Sequence, residues 1–182
     1  SSDDFAIPLD DRGHPILAYS ACLTEQGVIF GGRNRIYRYD YDSRSIKLLL
    51  DFSSDPYFAI SAISRWDEET LLCCSRWQGL RLINLRSGER RLPPFDCGKE
   101  IMALLIDSHN RIWLAPYNEG LRCFNPEGRL LASYTTDNSG LSNNVVLSMA
   151  ERDSHIWVGT DGGGINIIHP DSHRITVLEH IP

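Results

Sequence analysis

The chain has 182 residues, 42% of them hydrophobic and 23% charged, with a formal net charge of −6. That balance fits a soluble globular domain long enough to bury a real core, and no segment approaches the roughly 20 apolar residues of a membrane span. The acidic balance and the absence of any Lys/Arg run make anionic partners poor fits and argue against a nucleic-acid footprint.

The opening residues "SSDDFAIPLD" carry no positive region followed by an apolar stretch, so no secretory signal is expected in this stretch. From there the chain repeats itself. The first unit has a small-residue strand "AYSACL", then "GVIFGGRNRIYRYD", then "SIKLLLDF"; the second has "AISAIS", "TLLCCSRWQGLRLIN" and "ERRLPPF". The third runs "IMALLI", "RIWLAPYNEGLRCFN" and "RLLASYTT", and the fourth "VVLSMA", "HIWVGTDGGGINIIH" and "RITVLEH". Turns such as "DSHN" and "ERDS" separate first strands from second, where Asn and Asp accept left-handed geometry. The first apolar residues after each break, Ile36, Leu80, Leu121 and Ile165, stand 44, 41 and 44 residues apart.

No helical period persists, so each unit is four short strands. A β-sandwich also has short strands, but it does not predict one strand-turn-glycine-strand pattern returning four times. The expected fold is all-β: a β-propeller segment of four blades, each a four-stranded antiparallel sheet, with blades at about 14–52, 58–95, 99–136 and 143–180. The first strands are rich in Ala18, Ser20, Ala21, Ala59, Ser61, Ala62, Ala103, Ser148 and Ala150, as the crowded axis of a propeller requires. Trp113 and Trp157 fall in second strands, where wider gaps between blades are to be filled.

The stretch "GLSNNVVLSMAERDSHIWVGTDGGGINIIHP" resembles the two-component regulator propeller repeat at Leu141, Ser142, Asn143, Val145, Ile156, Trp157, Val158, Gly159, Thr160, Gly162 and Gly163. The third unit keeps Asp107, Ile112, Trp113, Gly120 and Leu121 but has Ala115 and Pro116 in place of the Gly-Thr pair, and the first two units follow by register. The resemblance implies a segment of the periplasmic sensor of a membrane-bound hybrid two-component histidine kinase/response regulator that detects glycan fragments. In such proteins the membrane helix, kinase and output module are separate parts, so any kinase activity and any membrane contact would belong outside this segment. Propellers of this kind are expected to have more than four blades, so the segment is expected to be a fragment or to expose two raw edges that invite self-association.

Few residues suggest chemistry. The glycines of "TDGGGIN" lead into a strand with no Lys and no helix, which fits backbone conformation at Gly162 to Gly164 and not phosphate binding. Cys22, Cys73, Cys74, Cys97 and Cys123 show no CxxC spacing, and Cys73 and Cys74 are expected on opposite faces of one strand. His169 and His173 flank a Pro-Asp turn and do not share a helical face, while His14, His109, His155 and His180 are read as isolated. Asp and Glu are scattered among turns, including "WDEE" at 66–69 and "ERD" at 151–153, so no catalytic residue, metal ligand or cofactor is assigned.

Binding has the better case. Loops between second and third strands emerge on one face together with the connections between blades. There Trp77 and Tyr117 can stack on sugar rings while Arg76, Gln78, Asn118 and Asp161 bond hydroxyls; these six are the candidate ligand-binding residues. The alternative for both rings is packing between blades. The expected partners are thus an oligosaccharide and, through the unclosed edges, a second copy of the chain; an interaction scaffold is the alternative function and a propeller glycosidase or lyase a third.

Overall fold

A computed structural model describes residues 8–10, 13–75, 78–96, 98 and 100–178, and every regular element among them is a strand. Blade 1 comprises β1 (Ser20–Thr24), β2 (Gly27–Gly32), β3 (Arg35–Asp40) and β4 (Ser45–Asp51). Blade 2 comprises β5 (Ile60–Arg65), β6 (Thr70–Ser75), β7 (Gly79–Asn84) and β8 (Arg90–Arg91). Blade 3 follows with β9 (Ile101–Ile106), β10 (Ile112–Pro116), β11 (Leu121–Phe124) and β12 (Leu130–Tyr134), and blade 4 with β13 (Val146–Arg152), β14 (His155–Thr160), β15 (Gly164–His169) and β16 (Arg174–Leu178). Each sheet is antiparallel with its strands in chain order, the arrangement of a propeller blade.

Local chemistry explains the edges of these elements. Asp153 and Ser154 both take positive φ, 51° and 61°, which gives the two-residue turn whose twist suits a hairpin between β13 and β14. Asn110, at φ 59°, closes the equivalent turn between β9 and β10. The outer strand β8 stops after two residues, because Pro93 and Pro94 follow and proline has no N–H to donate to the ladder.

A blade alone leaves both faces of its sheet wet, so the cores lie between blades. Blades 1 and 2 enclose Ile29, Ile36, Phe58, Ile60, Leu71, Cys73 and Ile83. Blades 2 and 3 enclose Leu72, Cys74, Leu80, Leu82, Ile112 and Leu114, and blades 3 and 4 enclose Trp113, Leu121, Cys123, Val146, Ile156, Val158 and Ile168. Cys73 and Cys74 thus serve neighbouring cores, as alternation along a strand dictates. Burial pushes the Cys22 thiol up to about 11 and the Cys123 thiol up to about 12, so both stay protonated near neutrality.

The inner strands stack around the axis, β1 on β5, β5 on β9 and β9 on β13. Serine hydroxyls tie them at the repeat period: Ser20 Oγ accepts the Ile63 N–H at 3.0 Å, and Ser64 Oγ accepts the Ile106 N–H at 3.2 Å. Small side chains at the axis therefore do more than fit, since they pair backbone groups of the next blade. Among the described residues β13 makes no comparable packing on β1, so the four blades form an open arc. This alters one expectation. Trp113 is fully buried between blades 3 and 4, whereas Trp157, its repeat equivalent, is only half-buried on the outer face of blade 4.

The turn before β10 is built around one carboxylate. Asp107, whose side chain is wholly buried, accepts from the backbone N–H of His109 and Arg111, from Arg111 Nε at 2.6 Å and from Trp113 Nε1 at 2.8 Å. Asp107→Ala strands the indole N–H and leaves the Arg111 guanidinium only the exposed Asp171, at 3.5 Å. It should cost about 3 kcal/mol or more in urea unfolding, with Trp113→Phe costing less; a loss below about 1 kcal/mol for Asp107→Ala would contradict this role.

Candidate functional site

One face of the arc gathers, among the described residues, those of the second-to-third-strand loops, 33–34, 78, 117–120 and 161–163, with those of the blade connections, 52–59, 92–96, 98, 100 and 135–145. Backbone bonds lace the two sets together: Ile60 N–H donates to Arg33 O at 2.5 Å, Tyr117 N–H to Glu100 O at 2.8 Å, Gly120 N–H to Asn144 O at 3.0 Å and Asp161 N–H to Val145 O at 2.9 Å. The face is therefore a fixed surface of loops.

Of the six residues expected on it, Arg76 and Trp77 lie outside the described residues. Gln78 does point into structure: its Nε2 bonds both carboxylate oxygens of Asp55, at 3.2 and 3.1 Å. Arg90 Nη1 bonds the same carboxylate at 2.8 Å, and the Arg90 and Gln78 bonds hold Asp55 below the usual carboxylate range. Gln78 is thereby committed to anchoring the 52–59 connection. Tyr117 is 54% exposed. Asn118 is exposed at φ 58°, the conformation of a turn residue, and Asp161 is exposed at the tip of its own loop. Gln78 lines a cleft with Leu80, Leu92, Pro94 and Phe95, which Tyr117, Asn118 and Asp161 do not reach.

The glycine run beside Asp161 divides into two roles. Gly162 and Gly164 take φ of 70° and 72°, but Gly163 does not. A Cβ on Gly163 would stand 2.5 Å from Ser142 Oγ and 2.6 Å from Thr160 Oγ1. Those hydroxyls are themselves engaged, Ser142 Oγ accepting from Asn166 Nδ2 at 2.7 Å. The run therefore answers to close packing as well as to chain reversal.

A second cleft, of about 630 Å³, opens on this face between blades 1 and 2. Tyr19, Arg33, Asn34, Pro56, Ala59 and Ser61 line it. Tyr19 is 58% exposed, and its N–H is fixed to Gly31 O at 2.9 Å. Arg33 takes φ 50° and, among the described residues, has no side-chain partner. Two positions on, Arg35 is buried in ion pairs with Asp10 at 2.9 Å and Asp51 at 3.0 Å. Residues Arg33 and Asn34 belong to a loop that the sequence places on this face; Tyr19 does not stand out there, and its one signal is a bulky ring within the small-residue strand "AYSACL".

The opposite face holds a cleft of about 700 Å³ lined by Trp66, Asp67, Glu68, Ser108 and Glu151. The two acidic turns thus do meet there, which their sequence separation does not suggest. Glu151 is occupied, however, accepting the Ser108 N–H at 2.7 Å, and Asp67 accepts the Glu69 N–H at 2.9 Å. Nor is every histidine isolated: the His155 and His169 rings meet edge-to-face at 4.3 Å, and His173 Nδ1 lies 2.9 Å from the Tyr134 hydroxyl.

Residues 140–162 match the model of the two component regulator propeller family. In three dimensions the chain is similar to the extracellular domain of a hybrid two component system of B. thetaiotaomicron, with a TM-score of 0.68 and 19% identity over 90% of this chain and 22% of that one. It is also similar to two computationally designed proteins, each 14% identical: Ika4, with a TM-score of 0.59 over 89% of this chain and 95% of that one, and Ika8, with 0.61 over 87% and 47%. The chain thus spans less than a quarter of the natural neighbour's length. No curated protein matches it in sequence.

Two variants test the glycine assignment. Gly163→Ala should destabilise the fold by about 1–3 kcal/mol through overpacking, and Gly162→Ala, which meets nothing within 4 Å, by about 1 kcal/mol through its φ alone. Equal midpoints in urea for the two variants would refute the distinction.

Proposed function

We propose that this segment is the ligand-sensing part of an extracytoplasmic propeller in a membrane-bound hybrid two-component signalling protein, that it lies in the periplasm, and that it binds oligosaccharides without transforming them. The observation that supports the signalling context is the propeller-repeat match at residues 140–162, together with the fold shared with an extracellular sensor domain. Phosphorelay chemistry in this reading belongs to a histidine kinase elsewhere in the protein.

The cleft between blades 1 and 2 supports the ligand class. The exposed ring of Tyr19 offers a flat apolar face of the kind that stacks on pyranose rings, and Arg33, Asn34 and Ser61 bring donors and acceptors for hydroxyls around it. Arg33 can bond a ligand without first giving up a protein partner, which Gln78 cannot. The binding site in this reading therefore shifts from the residues around 76–78 to the neighbouring junction.

Calorimetry of the segment against neutral and acidic oligosaccharides tests this. A binding saccharide should lose about tenfold in affinity, or about 1.4 kcal/mol, with Tyr19→Ala and with Arg33→Ala, and should be unaffected by Tyr117→Ala. Binding that survives both cleft variants, or heat from no member of the panel, would overturn the assignment, and release of new reducing ends would favour an enzyme.

A further inference from the structure

The cleft between blades 1 and 2 differs from its neighbours in the sign of its charge. The chain has 24 Asp and Glu against 18 Lys and Arg, yet the described residues that line this cleft include the cation Arg33 and no carboxylate. Four other clefts among the described residues, of about 700, 510, 640 and 440 Å³, each have at least one carboxylate in the lining. Glu151 and Asp67 line the first, Asp10 the second, Asp96 the third and Glu25 the fourth. The acidic balance of the whole chain therefore says little about this one cleft.

The carboxylates on the elements around it are engaged elsewhere. Asp55 accepts from Arg90 at 2.8 Å and from Gln78, while Asp10 and Asp51 share Arg35 at 2.9 and 3.0 Å. Arg33 has no side-chain partner among the described residues, and the same holds for the Asn34 amide beside it. Ser61 is different, because its hydroxyl donates to Cys74 O at 3.3 Å and so offers lone pairs to a ligand. The cleft thus sets a guanidinium and an amide on the β2–β3 loop and an acceptor on the inner strand β5, above an apolar floor of Phe58 and Ile60.

We propose that the ligand of this cleft is an anionic oligosaccharide, with a ring carboxylate or sulfate ester held by the Arg33 guanidinium; this rests on the oligosaccharide reading above and narrows it to one charge class. A sugar seated on Tyr19 covers Arg33 and strips water from it. A guanidinium stays charged at any physiological pH, so a neutral sugar that covers it replaces its water with uncharged acceptors only. An oxyanion restores the loss, because the planar fork of donors matches a carboxylate or sulfate with two parallel, charge-assisted bonds. The anion belongs on this side of the β2–β3 loop. Arg33 also borders the cleft of about 510 Å³ on the other side, but there Asp10 repels a negative group.

Calorimetry with oligosaccharides of galacturonate, glucuronate and mannuronate, with a sulfated galactan oligosaccharide, and with the carboxyl-reduced or desulfated counterpart of each tests this. An anionic member should bind at least about tenfold more tightly than its neutral counterpart, and added salt should narrow that ratio. The uronate and sulfate arms tell which oxyanion is taken. Arg33→Gln, which keeps hydrogen-bonding groups and removes the charge, should bring the ratio to about one and leave the neutral counterpart within about threefold. Tyr19→Ala should weaken both members of a pair and leave their ratio, and circular dichroism should show both variants folded. A neutral sugar that binds as tightly as its anionic counterpart and is weakened by Tyr19→Ala would overturn the charge assignment and leave the oligosaccharide reading standing. An anionic preference that survives Arg33→Gln would also overturn it, and heat from no member of the panel would overturn both readings.

Discussion

The fold rests on one constraint: a four-stranded blade is amphipathic on neither face, because both of its faces are apolar. Leu72 and Cys74 of β6 point one way while Leu71 and Cys73 point the other, and all four are buried. A strand with this near-continuous apolar run cannot belong to a sheet with a wet side. Burial therefore has to come from neighbouring blades, and the stability of each blade is a property of its junctions, as in other repeat proteins. The serine bonds at the axis fix the same junctions in register, pairing Ser20 with Ile63 and Ser64 with Ile106 one repeat further along.

That constraint explains which features could be read in the amino-acid sequence. Period, strand content and blade number are visible because each blade must repeat the same apolar rows; Asp107 is visible only as a turn residue, and its bond to the Trp113 indole N–H is not. The different fates of Trp113 and Trp157 are not visible. Both occur in an "IW" pair at the same point of a repeat, and the local pattern encodes a face, whereas burial depends on what stands opposite.

The candidate site was legible as a surface and not as a set of residues. Alternation and blade topology place the loops on one face, and Arg33 and Asn34 are among them. Choosing within the face needs the long-range partners. Gln78 looks like a hydroxyl-bonding side chain until Asp55, 23 residues earlier, is seen to hold it. Tyr19 looks like part of an inner strand until it is found exposed above the junction of blades 1 and 2. In both cases the deciding neighbour comes from a different blade element, where local spacing carries no information.

The loop "RNR" shows how the fold separates a structural cation from an available one. Arg35 opens β3 and its guanidinium sits between Asp10 and Asp51, so it ties the N-terminal segment to the end of β4. Removing one partner of such a buried arrangement leaves uncompensated charge, which commits Arg35 to the fold. Arg33, two residues before it, is carried outward by a positive φ over the cleft floored by Phe58 and Ile60. Its carbonyl is used by Ile60 N–H while its side chain has no partner among the described residues, so the backbone alone fixes where the charge stands. A ligand that bonds Arg33 would thereby touch the β2–β3 loop, whose Arg33 carbonyl accepts from Ile60, the first residue of the next blade's inner strand. Binding at this cleft, if it occurs as proposed, would act on the same backbone bond that joins the successive blades.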